Sequence, residues 1–215
     1  MAQRSVALAG ATGLVGREIL QGLVTDPSVS AIHVLARRAL DAPAPKVTVH
    51  VVDYRSLGAL PALDEVYLAL GTTIKVAGSE EAFRAVDFDA NLAVARAALA
   101  AGARRAGIVS AMGASAQSGI FYSRVKGELE DALRALPFEG LVIARPSMLA
   151  GDRERLGQPV RRWEGIFLGI TRLLGPLLPR NDRSVAARDV ARTLLGRVPV
   201  ARGCEIVLSG AMSTW

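Results

Sequence analysis

The sequence predicts an α/β fold: a doubly wound parallel sheet with helices on both faces and a small C-terminal lobe. Three observations lead there. Short apolar runs alternate with amphipathic segments of helical period along most of the 215 residues. A glycine-rich turn stands directly after the first apolar run. Half of the residues are hydrophobic but only 5% are aromatic, so alanine, leucine, valine and glycine supply the packing, as suits a parallel sheet under close-packed helices. The length suits a single domain, 1–215, with 147–215 contributing a small substrate-facing lobe.

Each element can be justified in order. SVALA (5–9) is the first strand. From Gly13 to Val24, Val15, Ile19, Gly22 and Leu23 recur at helical spacing. AIHVLA (31–36) is the second strand, DAPAPK (41–46) a proline-broken loop, VTVHVV (47–52) the third strand and EVYLAL (65–70) the fourth. A long helix is predicted over 79–101, with Phe83, Val86, Ala90, Val94, Ala97 and Ala101 along its apolar face. GIVS (107–110) is the fifth strand. A helix over 120–136 follows, with Val125, Leu129, Leu133 and Leu136 facing inward, and LVIAR (141–145) is the sixth strand. After Pro146 the rhythm degrades. Residues 151–183 are rich in Arg, Gly and Pro, with one apolar helix near 162–174; a short helix near 186–197 and a strand at Glu205–Ser209 close the chain. This alternation implies right-handed crossovers and a Rossmann-type sheet, whose ligand crevice lies at the carboxyl ends of the strands.

Composition narrows the classes of function. Net charge is +6, and all but three of the 26 basic residues are arginines, the exceptions being Lys46, Lys75 and Lys126. The arginines are scattered and aromatics are too sparse to interleave with them, so no nucleic-acid partner is expected. Cys204 is the single cysteine, which fits a reducing compartment. The N-terminal MAQRSVALAG lacks the apolar core of a signal peptide, and a cytoplasmic location is expected. The apolar stretch from Gly165 to Pro179 is broken by Arg172 and by Gly175–Pro176 and is too short to span a bilayer, so no membrane partner is expected. Trp163, Ile166, Phe167, Ile170 and Leu174 form a stripe that reads as core or as a lid over substrate. His33 and His50 lie inside strands without Cys or Asp partners and read as structural, so no metal is expected. Asp87 and Asn91 share a helix face and read as a solvated side or a helix-pairing interface.

The chemistry-bearing motifs fall at strand ends. GATGLVG places Gly10, Gly13 and Gly16 between the first strand and the first helix. Glycine permits the tight turn and lets backbone N–H groups approach a pyrophosphate, and the helix N-terminus adds partial positive charge. At the end of the second strand, where an NAD site usually carries a carboxylate, the chain reads Ala36–Arg37–Arg38. Guanidinium groups suit a 2′-phosphate, so NADP(H) is expected. Tyr122 and Lys126 are four apart and share a helix face. A phenol with a pKa near 10 is a poor base at neutral pH, and a neighbouring ammonium favours its anion. With three Tyr and three Lys in the chain the spacing arises by accident at about 0.04, so its position at the ligand edge of the sheet carries more weight. Ser110, at the end of the fifth strand, could hydrogen-bond the same substrate oxygen.

Taken in order, these motifs resemble the short-chain dehydrogenase/reductase superfamily in its atypical, single-domain branch. The segments that carry the likeness are GATGLVG (10–16), VVDYRS (51–56), 68–105, VSAMGAS (109–115), YSRVKGELE (122–130) and ARPSMLAGDR (144–153). LGTT through KGELE and RPSMLAGDR look particularly like the Tat-interacting-protein oxidoreductases and NAD-dependent epimerase/dehydratase relatives. The resemblance implies that Gly10, Thr12, Gly13, Leu14 and Val15 would wrap the pyrophosphate, and that Arg37 and Arg38 would hold the 2′-phosphate. Asp53 would meet the adenine amino group, and Gly71 and Thr72 would line the cofactor. Ser110, Tyr122 and Lys126 would be the catalytic trio, with Lys126 also on the nicotinamide ribose. Arg145, Pro146 and Ser147 would lie beside the nicotinamide. The expected activity is hydride transfer between NADP(H) and a small carbonyl or alcohol, by a monomer or homodimer. The alternatives are a non-catalytic NADP(H) sensor that binds a partner protein and a sugar-nucleotide epimerase or dehydratase, the latter disfavoured by the short tail.

Overall fold

A computed structural model describes residues 3–42, 44–147, 149–150 and 184–212. In chain order these form β1 (Arg4–Ala9), α1 (Leu14–Thr25), β2 (Val29–Ala36), β3 (Val47–Val51), β4 (Glu65–Leu68), α2 (Ile74–Ala77) and α3 (Glu80–Arg84). A π-helical turn (Ala85–Ala90) leads into α4 (Asn91–Ala100), then β5 (Arg105–Val109), α5 (Phe121–Arg134), β6 (Gly140–Arg145) and β7 (Leu149–Ala150). The chain closes with β8 (Val185–Ala186), α6 (Ala187–Arg197), β9 (Gly203–Leu208) and α7 (Ser209–Met212).

Seven strands make one parallel sheet in the order β3-β2-β1-β4-β5-β6-β9. The doubly wound fold expected from the sequence is therefore observed. The chain winds outward from β1 to β3 and then crosses back to β4, so the crevice of such a sheet opens outside the carboxyl ends of β1 and β4. β7 and β8 pair separately in parallel. Under one face, α1 and α6 pack on Val6, Leu8 and Val142 through Ile19, Leu23, Val190 and Leu194. On the other, α4 and α5 pack on Ala7, Ala9, Val66 and Leu68 through Val94, Ala98, Leu129 and Leu133. All of these side chains are fully or almost fully buried, which is the main stabilising term of the fold.

The helix predicted over 79–101 differs most from expectation. Its start holds: Ser79 caps α3 by accepting from the Ala82 N–H at 3.0 Å. Its course is broken by the π-helical turn, and its inner face is only partly the apolar one predicted: Phe83, Ala90 and Val94 are buried as expected. Asp87 and Asn91 are each 1% exposed, while Val86 and Ala97 are only half-buried. The reading of Asp87 and Asn91 as a solvated side is thus corrected, while Asp87 does join its segment to α5 through Lys126. The Asp87 carboxylate and the Asn91 amide nitrogen find compensating partners inside, and periodicity of hydrophobicity cannot register such pairing. The helix expected near 162–174, with its Trp163-to-Leu174 stripe, lies outside the described residues. No described helix is long and apolar enough to cross a membrane.

Candidate functional site

The glycine turn after β1 is built as the sequence requires. Gly10 has φ +92°, and a Cβ there would lie 2.3 Å from the Ala69 carbonyl oxygen in the loop after β4. A Cβ on Gly16 would lie 2.0 Å from the Gly10 carbonyl oxygen. The Gly13 N–H closes the turn on the Gly10 carbonyl at 3.0 Å. Gly13 also begins α1 without a side-chain cap, so the first N–H groups of this twelve-residue helix face the turn. Val15 contributes only backbone, because its side chain is in the core. Thr12 is exposed and Leu14 half-buried beside it. A narrow backbone cradle with uncapped amide donors suits a pyrophosphate, and the residues present fit a dinucleotide.

Along the same edge, Arg37 and Arg38 follow β2, both exposed. Tyr54, within electrostatic reach of Arg37, donates to the Leu35 carbonyl at 2.7 Å. Burial pushes its phenol up to about 12, with Arg37 pulling the other way. Asp53 follows β3, exposed; hydrogen bonds from the Arg55 backbone and side chain hold its carboxyl below the usual value. No described carboxylate ends β2.

At the centre, after β4 and β5, two buried clusters flank the first turns of α5. The first joins Lys126 to Asp87: Nζ and Oδ1 are 2.7 Å apart, with side-chain exposures of 5% and 1%. Asp87 Oδ2 accepts the Thr72 N–H at 2.8 Å, which ties the Gly71–Thr72 loop to the same carboxylate. Tyr122, one turn before Lys126, is half-buried, and its ring packs 5.6 Å from that of the buried Phe83. The second cluster is centred on Glu130, fully buried one turn after Lys126. It accepts from Ser110 Oγ at 2.5 Å, from Arg145 Nε and Nη2 at 2.9 and 2.6 Å, and from Arg134 Nη2 at 2.9 Å. Ser110 therefore spends its hydroxyl proton on Glu130. Arg145 spends its guanidinium on the same carboxylate, and the Ser147 N–H is donated to Ser209 Oγ at 2.6 Å. Pro146 is buried between Arg145 and Ser147. A cavity of about 170 Å³ borders this cluster, lined in part by Ser115, Gln117, Gly127 and Asp131.

The structure thus brings Lys126, Gly71 and Thr72 together around Asp87 on the edge that also carries Gly10, with Tyr122 one turn before Lys126 on α5 and packed on Phe83. Sequence reasoning missed Asp87, Asn91 and Glu130. Their signals were present as i,i+4 relations, Asp87 to Asn91 and Lys126 to Glu130, but polar helix residues read as solvated until a partner is known. His33 Nδ1 and His50 Nε2 meet at 3.0 Å across β2 and β3. Burial, and then the neighbouring ring, lower the His33 pKa. Among the described residues, no group of three or more His, Cys, Asp or Glu is placed to hold a metal ion.

No protein-family model matches the chain. Its sequence is 41% identical over 175 residues to "Protein fmp52, mitochondrial" of Emericella nidulans, covering 77% of this chain and 75% of the relative. It is 33% identical over 221 residues to "Protein FMP52, mitochondrial" of Candida albicans, covering 94% and 96%. Among solved structures, a short-chain dehydrogenase/reductase family oxidoreductase of Burkholderia thailandensis superposes with TM-score 0.67 at 17% identity, over 99% of this chain and 94% of that one. The Bordetella bronchiseptica enzyme WbmF, solved with NAD+, gives 0.68 at 15% identity, over 99% and 77%. The fold expected from the motifs is therefore that of the short-chain dehydrogenase/reductases. The expected cytoplasmic location is overturned by the mitochondrial names of the relatives. A lone cysteine can form no disulfide within the sequence and names no compartment.

Proposed function

The chain belongs to the Fmp52 family, and from that premise we propose that it is an NADP(H)-dependent oxidoreductase of a small carbonyl or alcohol. The observation that carries this reading is the placement of Tyr122 and Lys126 on one face of α5, at the edge that holds the glycine cradle. A nicotinamide supplies or accepts the hydride when bound. In the reducing direction Tyr122 gives its hydroxyl proton to the substrate oxygen, while the carbon receives the hydride; in the oxidising direction it takes that proton back. The Lys126 ammonium offsets the charge left on the phenol oxygen and holds the nicotinamide ribose. Ser110, whose proton goes to Glu130, has lone pairs left to accept a hydrogen bond from an alcohol substrate. Arg37 and Arg38 favour a 2′-phosphate, with Asp53 on the adenine side and Arg145, Pro146 and Ser147 bordering the nicotinamide end. The protein acts as a monomer or homodimer, without nucleic acid or membrane.

Tyr122→Phe tests the mechanism. Turnover of an identified substrate is expected to fall by about 10²–10⁴-fold with NADPH affinity retained; full turnover would sink it. Dissociation constants for NADPH and NADH test the cofactor, and equal affinities would reject the NADP assignment. The commitment of Ser110 to Glu130 favours one second reading, an NADP(H)-binding sensor that regulates a partner protein. Tight NADPH binding with no oxidation across a carbonyl panel, and a partner recovered with the protein, would favour it.

A further inference from the structure

We propose that Asp87 is a positioning residue that holds Lys126 and the Gly71–Thr72 loop in one arrangement, and so sets the nicotinamide half of the dinucleotide site. The inference rests on the dinucleotide reading above and adds a residue to it. A carboxylate inside a helix is unfavourable when buried unless it is compensated. A buried ion pair is by itself weak evidence of a stabilising device, because well-packed apolar residues often do as well. What distinguishes Asp87 is the division of its two oxygens. Oδ1 pairs with Lys126 on α5 at 2.7 Å, and Oδ2 accepts the Thr72 N–H of the loop after β4 at 2.8 Å. One carboxylate thereby fixes a flexible four-carbon ammonium stem and a glycine loop relative to each other.

The surroundings carry the same link twice more. Asp87 lies in the π-helical turn, an irregularity that recurs at functional sites. Asn91 Nδ2 donates to the Val86 and Asp87 carbonyls of that turn at 3.3 and 3.1 Å. It also donates to the Leu70 carbonyl, next to Gly71, at 3.2 Å. Outside the pair, Arg84 of α3 forms an ion pair with Glu128 of α5. Gly71 lies directly over the pair: a Cβ there would sit 3.6 Å from Asp87 Oδ1 and 4.0 Å from Lys126 Nζ. A ligand resting on Gly71 thus lies against a lysine whose position Asp87 determines.

The test compares two probes, NADPH and adenosine 2′,5′-bisphosphate, which carries only the adenine half. Their dissociation constants are measured for the native protein, Asp87→Asn, Lys126→Met and the double variant. Asp87→Asn is expected to weaken NADPH about 10-fold and to leave the bisphosphate within about 2-fold. In the Lys126→Met background it should add nothing, since Asp87 acts through Lys126. Unchanged NADPH affinity, equal weakening of both probes, or additive effects would overturn the proposal. A native protein that binds neither probe would overturn the dinucleotide reading itself, so the two failures are told apart. Should Asp87→Asn not fold, Asp87→Glu keeps the charge and displaces it by one methylene. The same selective loss of NADPH is then expected, and equal or absent loss counts against the role.

Discussion

Two glycines at the edge of the sheet separate backbone geometry from ligand contact. Gly10 combines φ +92° with a Cβ position 2.3 Å from the Ala69 carbonyl oxygen, so any side chain there is both strained and obstructed. Gly10→Ala is expected to lower stability by about 2–4 kcal/mol, read from urea denaturation. At Gly71 the nearest atom to an added Cβ is Asp87 Oδ1 at 3.6 Å, an ordinary contact. Gly71→Ala should therefore leave the melting temperature unchanged while weakening NADPH. An unaltered NADPH affinity would remove Gly71 from the cofactor site. The glycines, Arg37, Arg38 and the Tyr122–Lys126 pair were all legible in the sequence, because each is recognised by type and local spacing. Asp87 was not, because nothing local to it names Lys126.

Among the elements, α5 is the joint of the candidate site. Its first turns carry Tyr122 and Lys126, and its next turn carries Glu130, which binds β6 through Arg145 and the end of β5 through Ser110. Removing one member of such a network leaves buried charge uncompensated. Glu130→Ala is expected to lose about 3–5 kcal/mol in denaturant unfolding. The helical segment facing α5 shows where periodicity misleads. Its apolar positions predicted Val86 and Ala97 inward, yet the paired Asp87 and Asn91 occupy the interior. Asn91→Ala, which removes the amide donor shared among the Leu70, Val86 and Asp87 carbonyls, should lower stability by about 1–3 kcal/mol in the same measurement.

For the molecule as a whole, the amino ends of the strands are closed by a network remote from the glycine cradle. Arg4 of β1 donates to both oxygens of the fully buried Glu65 of β4 at 2.8 and 2.7 Å, and to Asp26 after α1 at 2.6 Å. Tyr67 donates to Glu65 at 3.1 Å. Arg4→Met strands the Glu65 charge and is expected to lose about 3–5 kcal/mol while the folded protein keeps its NADPH affinity. The same network shapes the acid limb of stability. Burial pushes the Asp26 carboxyl up, but the Ser28 hydroxyl and amide, with Arg4 and Lys46, outweigh it and hold it below 3.8. A depressed folded pKa contributes stability above the unfolded value and loses it as pH falls through the folded one. The urea midpoint should thus decline below pH 3.8 in the native protein and decline less steeply in Arg4→Met.

By itself the sequence determined the parallel α/β rhythm, the glycine turn, the arginines at the end of β2 and the register of Tyr122 on Lys126. These are relations within one strand, one turn or one helix, and local spacing is enough to express them. Cellular location was not among them, since neither composition nor a lone cysteine names a compartment. Only the tertiary structure decided that Lys126 is paired with Asp87, that the proton of Ser110 belongs to Glu130 and that Arg145 is held there too. A buried polar group survives where a partner from another element compensates its desolvation, and the fold alone brings that partner near.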